Sequence, residues 1–161
     1  MPTTQTTKMS DLLSPDRIEI ALPGASKADV INALVDLLRD HEAIGSLDAV
    51  RTAIFEREKV MSTGVGKGLG LPHAKTPAAM ETVAAFATTA QPVDFGAIDD
   101  VPVRLVLLLV GPESDKSQHI KILGRVSRLI SRDAIRERLI EATSPDEVLR
   151  ILNDGEVALR S

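Results

Sequence analysis

His73 closes the run Ser62-Thr63-Gly64-Val65-Gly66-Lys67-Gly68-Leu69-Gly70-Leu71-Pro72. An imidazole with an unperturbed pKa of about 6.5 is largely neutral at neutral pH and keeps a lone pair for attack. Pro72 fixes the backbone before it and removes one donor. A histidine held on a rigid, glycine-bordered segment is therefore a suitable nucleophile. The glycines do not form a standard nucleotide loop. A P-loop needs glycine five positions before Gly66-Lys67 and Ser or Thr after it, where this chain has Met61 and Gly68. A dinucleotide fingerprint fails as well, because Leu69 and Leu71 fill the third-glycine positions. Glycine at every second position instead suggests an extended segment whose backbone lies close to something, leaving His73 open to a large partner. Without a wider context, a lone histidine is more often an ordinary surface or half-buried residue.

The elements that must position this segment follow from patterning. Met9 to Leu13 suggests a helical turn, ended by Ser14-Pro15. Ile18 to Leu22 reads as a strand stopped by Pro23-Gly24. Ser26 with Asp29 resembles a capping box opening a helix to about Arg39. A second helix spans about Leu47 to Lys59 and carries Arg57 in its last turn. Val83 to Thr89 is a strand of small residues, and Pro92 to Gly96 suggests a short edge strand. Val103 to Val110, apolar almost throughout, is expected to be a central strand covered on both faces. Three helices close the chain. One runs from about Ser117 to Ile130 with Ile120, Leu123, Val126, Ser127 and Ile130 inward, and one from Asp133 to Ala142. The last begins at Ser144-Pro145-Asp146-Glu147 and stops near Gly155. The expected fold class is α/β: a single domain, with a mixed β-sheet of about five strands and helices on both faces. Its expected limits are residues 10–155, after a disordered segment 1–9 and before a C-terminal tail 156–161.

Composition narrows the function. Lys plus Arg is 19 against 23 for Asp plus Glu, a net charge of −4. Aromatics make up 2%. Neither the charge nor the aromatic content suits nucleic acid. There is no cysteine, so disulfides and thiolate sites are excluded. The three histidines, His41, His73 and His119, show no metal-site spacing, and no cofactor or metal is expected. The run Leu105 to Val110 is far shorter than the ~20 residues of a membrane span. Met1 to Ser10 lacks a secretory apolar stretch. The expectation is a cytoplasmic protein without direct membrane insertion.

The stretch Arg57-Glu58-Lys59-Val60-Met61-Ser62-Thr63-Gly64-Val65-Gly66-Lys67-Gly68-Leu69-Gly70-Leu71-Pro72-His73 resembles the signature of enzyme IIA domains of the bacterial phosphoenolpyruvate-dependent phosphotransferase system. The type is fructose/mannitol, and the Ser-Thr-Gly-Val-Gly wording is closest to the nitrogen-regulatory branch. The likeness extends to Asp11-Leu12-Leu13, to Val93-Asp94-Phe95-Gly96 through Val101-Pro102-Val103, and to Gln118-His119-Ile120. Lys67, Gly70 and Ala74 depart from that branch, where Asn, Ala and Gly are usual.

The resemblance implies a phosphocarrier. His73 matches the histidine that is phosphorylated on Nε2, His119 the second histidine of the site, and Arg57 its arginine. The implied donor is an HPr or nitrogen-type (NPr) carrier protein. The implied acceptor is an enzyme IIB or a regulated target protein. On spacing alone, His119 is a solvent-facing residue in the first turn of a helix, not part of the core, and near the positive end that favours an anion. Arg57 on the same footing is a surface charge at a helix C-terminus. Ser62 and Thr63 either donate to phosphate or bond the loop's own backbone. Lys67 and Lys75 flank the segment as solvated charges or as attractors of an anionic partner. His41 has no assigned role.

Overall fold

A computed structural model describes residues 9–23, 26–60 and 62–160. The elements are α1 (Met9–Leu12), β1 (Ile18–Leu22), α2 (Lys27–Asp36), α3 (Leu47–Val60), β2 (Gly64–Gly66), β3 (Leu69–Gly70), β4 (His73–Lys75), β5 (Val83–Val93), β6 (Val103–Gly111), α4 (Lys116–Ile130), α5 (Asp133–Glu141) and α6 (Pro145–Arg160). The disordered segment expected over 1–9 falls almost wholly outside the described residues.

The strands form one mixed sheet in the order β1-β5-β6-β3-β2, with β4 also paired to β6. It holds six strands rather than five, because the glycine-rich run contributes a hairpin of its own. β5 and β6 are antiparallel, while β1 on β5 and both β3 and β4 on β6 are parallel. The strand expected at Pro92 to Gly96 is instead the far end of β5, where Val93 pairs with Val103 after a register shift. Pro92 is tolerated at that irregularity because a ladder hydrogen bond is not required there.

Strand β6 is buried along nearly its whole length, as its unbroken apolar run requires. Alternation sends Leu105, Leu107 and Leu109 to one face and Val106, Leu108 and Val110 to the other. The first face packs under α4, α5 and α6 together with Phe86. The second packs under α2 and α3 together with Phe95. Ser26 caps α2 by accepting from the Asp29 N–H at 3.1 Å, as the local pattern indicated.

Two helix expectations are corrected. α6 does not stop at Gly155 but continues to Arg160. A Cβ on Gly155 would lie 2.8 Å from Leu129 Cδ2 and 2.9 Å from Ile135 Cδ1. That glycine lets three helices approach; it is not a stop signal. The following residue, Glu156, is buried and ion-paired to Arg125 of α4 at 3.4 Å. On α4 the inward stripe is His119, Ile122, Val126, Leu129 and Ile130. Ile120 is 66% exposed and Ser127 is exposed. The helix is turned so that a histidine, not an isoleucine, faces inward at the end of its first turn.

Candidate functional site

The glycine-rich run resolves into two stretches along one sheet edge. β2 and β3 form a hairpin in which Gly66 pairs with Leu69. Its two-residue turn has Lys67 at φ 57° and Gly68 at φ 79°. Positive φ at both central positions matches the right-handed twist of the flanking strands. Gly64 and Gly70 serve packing: a Cβ on Gly70 would lie 2.8 Å from the Phe95 ring, and one on Gly64 would lie 2.8 Å from Ala97 Cβ. The backbone is thus close to Phe95 and Ala97, and not to His73. The turn neighbours Ser127, Ile130 and Ser131 at the C-terminal end of α4. His119 lies toward the N-terminal end of α4 with His73 beside it, about 16 Å from Ile130 at 1.5 Å per residue. Lys67 therefore takes no part in the histidine site.

The hydroxyls of the run have local partners. Ser62 Oγ donates to the Phe95 carbonyl and accepts from the Gly64 N–H at 3.0 Å. Thr63 Oγ1 donates to Glu58 Oε1 at 2.6 Å, and the Thr63 N–H donates to Oε2 of the same carboxylate at 2.9 Å. Glu58 is buried and is paired with Lys27 at 2.9 Å. Of the two readings left open, Ser62 takes the backbone one, whereas the Thr63 hydroxyl bonds a side-chain carboxylate that neither reading named. Glu58 is the residue that patterning did not single out; it sits beside Arg57 on α3 and ties the helix end to the hairpin.

Past the hairpin the edge strand continues in unbroken register. Leu69 pairs with Leu105 and Gly70 with Val106, then His73 with Leu109 and Ala74 with Val110. Pro72 lacks an N–H but its carbonyl accepts from Leu109 N at 3.0 Å, so an edge position accommodates it. The two-residue period puts His73 on the same face as Leu69 and Leu71, which is the face of α4. His73 and His119 meet there with ring centroids 5.6 Å apart and planes tilted by 48°. Arg57 arrives from α3 on the opposite face. The three line one open cleft of about 700 Å³ that wraps the sheet edge, with Lys75, Lys116 and Glu113 at its walls. The site lies toward the carboxyl end of β6, where open α/β sheets commonly bind ligands.

The His73 ring is held by one hydrogen bond, Nδ1 to the Leu71 carbonyl at 2.7 Å. A carbonyl can only accept, so Nδ1 carries the proton and the Nε2 lone pair is available. Burial holds the His73 pKa below its ordinary value, with Arg57 and Lys75 acting in the same direction. The Leu71 bond and Glu58 oppose them. The net effect favours the neutral ring. His119 is 3% exposed, so it is a core-facing residue and not the solvent-facing one its position suggested. Burial, then the neighbouring His73 and Lys75, push its pKa down to about 4, against a raising effect of Asp115. His119 is therefore neutral at pH 7 and offers one N–H donor.

In a chain of net charge −4 the cleft gathers Arg57, Lys75 and Lys116 against Glu113. The arrangement combines a neutral nucleophilic nitrogen, a second imidazole beside it and a cationic rim. It suits a small dianion attached to Nε2. Among the described residues no group of three or more His, Asp or Glu is placed to hold a metal ion. No described helix is long and apolar enough to cross a membrane.

Comparison with known proteins gives a consistent answer. The family model for "Phosphoenolpyruvate-dependent sugar phosphotransferase system, EIIA 2" matches residues 11–155. A fructose-specific EIIA component of Haloferax volcanii is 37% identical over 91% of this chain and 95% of its own. A nitrogen regulatory protein of Pseudomonas aeruginosa is 28% identical over 91% of this chain and 96% of its own. The crystal structure of nitrogen regulatory protein IIA-Ntr from Neisseria meningitidis superposes with a TM-score of 0.84 at 32% identity. It covers 89% of this chain and 98% of that one.

Proposed function

The chain belongs to the EIIA type-2 family of the phosphoenolpyruvate-dependent sugar phosphotransferase system, and on that premise we propose that it is a cytoplasmic phosphocarrier loaded on His73 by an HPr-like protein. The carrying observation is the His73 hydrogen bond: Nδ1–H is committed to the Leu71 carbonyl, which leaves the Nε2 lone pair free on a ring that lines the cleft shared with His119 and Arg57.

In the proposed reaction His73 Nε2 attacks the phosphorus of the donor's phosphohistidine. The P–N bond to the donor breaks as the bond to Nε2 forms, and the donor imidazole leaves with the electron pair. The Leu71 carbonyl stabilises the positive charge that develops on the His73 ring through its bond to Nδ1–H. His119 donates to a phosphoryl oxygen. Arg57 contacts the transferring group and the partner side of the transition state. A carrier must release its cargo, so binding concentrated on the transition state serves it better than a tight grip on the loaded form. In delivery a nucleophile of the acceptor attacks the phosphorus, the P–Nε2 bond breaks, and the His73 imidazole leaves with the electron pair.

The reading that fits best places this carrier in a nitrogen-type regulatory phosphotransferase chain. The fit to IIA-Ntr and the Ser62-Thr63-Gly64-Val65-Gly66 wording support it. The higher identity to a fructose-specific EIIA component favours a second reading, in which the group passes to a separate enzyme IIB in carbohydrate uptake.

The test is incubation with enzyme I, phosphoenolpyruvate and either HPr or the nitrogen-type carrier, followed by intact mass. One acid-labile, base-stable phosphate is expected on the wild type and none on His73→Ala. Full labelling of His73→Ala would overturn the assignment. Preferential loading by the nitrogen-type carrier supports the regulatory reading, and rapid discharge to a sugar-specific IIB supports the other.

A further inference from the structure

Three buried side-chain polar atoms have no hydrogen-bond partner among the described residues: Thr82 Oγ1, His119 Nδ1 and His119 Nε2. They converge on one place. The antiparallel register that pairs Val83 with Val110 sets Thr82 beside Gly111, the last residue of β6. α4 begins shortly afterwards and brings His119 over the same residue. A Cβ built on Gly111 would lie 3.0 Å from Thr82 Oγ1 and 3.4 Å from His119 Nδ1. Both polar atoms therefore border the small space that the missing glycine side chain leaves open.

From this convergence we infer that Thr82 is a positioning residue that acts on the reaction through His119. Its hydroxyl donates to His119 Nδ1, directly or across one water, and Gly111 keeps the space between them clear. This rests on the phosphocarrier reading of the His73 cleft and assigns the support of its second imidazole.

The chemical consequence concerns a tautomer. A neutral imidazole has one donor and one acceptor nitrogen, and the bond made by one fixes the role of the other. A hydroxyl donating to Nδ1 makes Nδ1 the acceptor and puts the proton on Nε2. That is the nitrogen left for the cleft, where a phosphoryl oxygen on His73 needs a donor. The His73 ring is fixed the opposite way, with the proton on Nδ1 and the lone pair on Nε2. Two imidazoles 5.6 Å apart thus present complementary groups, an electron pair from one and an N–H from the other. A hydroxyl suits the second task because it donates without charge, next to a ring that burial keeps neutral. Gly111 fits the same logic: alanine there would press on Thr82 Oγ1 at 3.0 Å and come into contact with His119 Nδ1 at 3.4 Å, although no positive φ requires glycine at that position.

The test uses the full chain, with ¹⁵N-labelled histidine, in its unphosphorylated and phosphorylated forms. Long-range ¹H–¹⁵N spectra report the tautomer of each ring. In the wild type His119 is expected as the Nε2–H tautomer, and His73 as Nδ1–H before loading. Thr82→Val keeps the side-chain shape and removes the donor. It should convert His119 to a mixture of tautomers and slow phosphoryl transfer about tenfold, while His73 remains the labelled residue. Thr82→Ser should restore both the tautomer and most of the rate.

A wild-type His119 in the Nδ1–H form would overturn the inference without recourse to any variant. An unchanged His119 spectrum and rate in folded Thr82→Val would also overturn it. If no donor phosphorylates His73, the phosphocarrier reading fails, while the His119 tautomer still decides whether Thr82 orients that ring.

Discussion

The hairpin of residues 64–70 and the segment 71–75 lie end to end on one sheet edge, yet they use their residues in opposite ways. The hairpin is conspicuous in sequence and its tip is remote from the histidine cleft. Its glycines pass beneath Phe95 and beside Ala97, and its turn needs positive φ at Lys67 and Gly68. The segment after it is short and plain, and it delivers a histidine with one ring nitrogen tied and the other free. A glycine-rich run next to a nucleophile suggests that the glycines serve the chemistry. Here they serve the packing that lets the edge strand run straight to His73.

The sharpest way to break this comparison is to burden the hairpin and watch the chemistry. In Gly70→Val the added atoms would overlap the Phe95 ring, for which overpacking costs about 3 kcal/mol at the upper end of its usual range. The expected result is a much lower urea midpoint with His73 still labelled in the folded fraction. An unchanged midpoint would show that Phe95 is not what the glycines accommodate.

The histidine end has its own stability signature. His119 titrates near 4 in the fold and at about 6.5 in the unfolded chain. Between those values the unfolded chain binds a proton that the native state lacks, so stability rises with pH. The contribution is fully present above about pH 6.5 and is lost as pH falls toward 4; His73, with its lowered pKa, adds in the same direction. From pH 7 to pH 5 the loss from His119 is on the order of 2 kcal/mol. Urea denaturation of wild type and His119→Gln at the two pH values measures it. Equal pH dependence in both proteins would show that His119 is not held neutral by burial.

The smallest effects compare a charge at each end. Arg57→Lys keeps the charge but loses the planar fork, and should slow transfer about tenfold, equivalent to about 1.4 kcal/mol. Lys67→Asn at the hairpin turn should leave transfer unchanged and raise stability by about 0.5 kcal/mol, because Asn accepts the left-handed conformation more readily. Quench-flow transfer and denaturation of both variants check this pair. Slower transfer in Lys67→Asn would place the hairpin tip in partner contact after all.

Much of this molecule is local in origin and was legible for that reason. Apolar alternation, the Ser26 and Ser144 caps, the prolines and the unbroken run of β6 act within a few residues of themselves, and each specified an element. The run ending at His73 marked the proposed nucleophile and, through resemblance, the family. What lay beyond the sequence was which surfaces meet. Gly155 has the local form of a helix stop, and only Leu129 and Ile135 packed against it explain why α6 continues. Ile120 and His119 offer alternative inward faces for α4, and the choice depends on how that helix seats on the sheet. Tertiary packing alone buries His119, lowers its pKa and sets it 5.6 Å from His73. Desolvation and the field of neighbouring charges depend on distance in space, and residues far apart along the chain acquire those distances only when the sheet and its helices close around them.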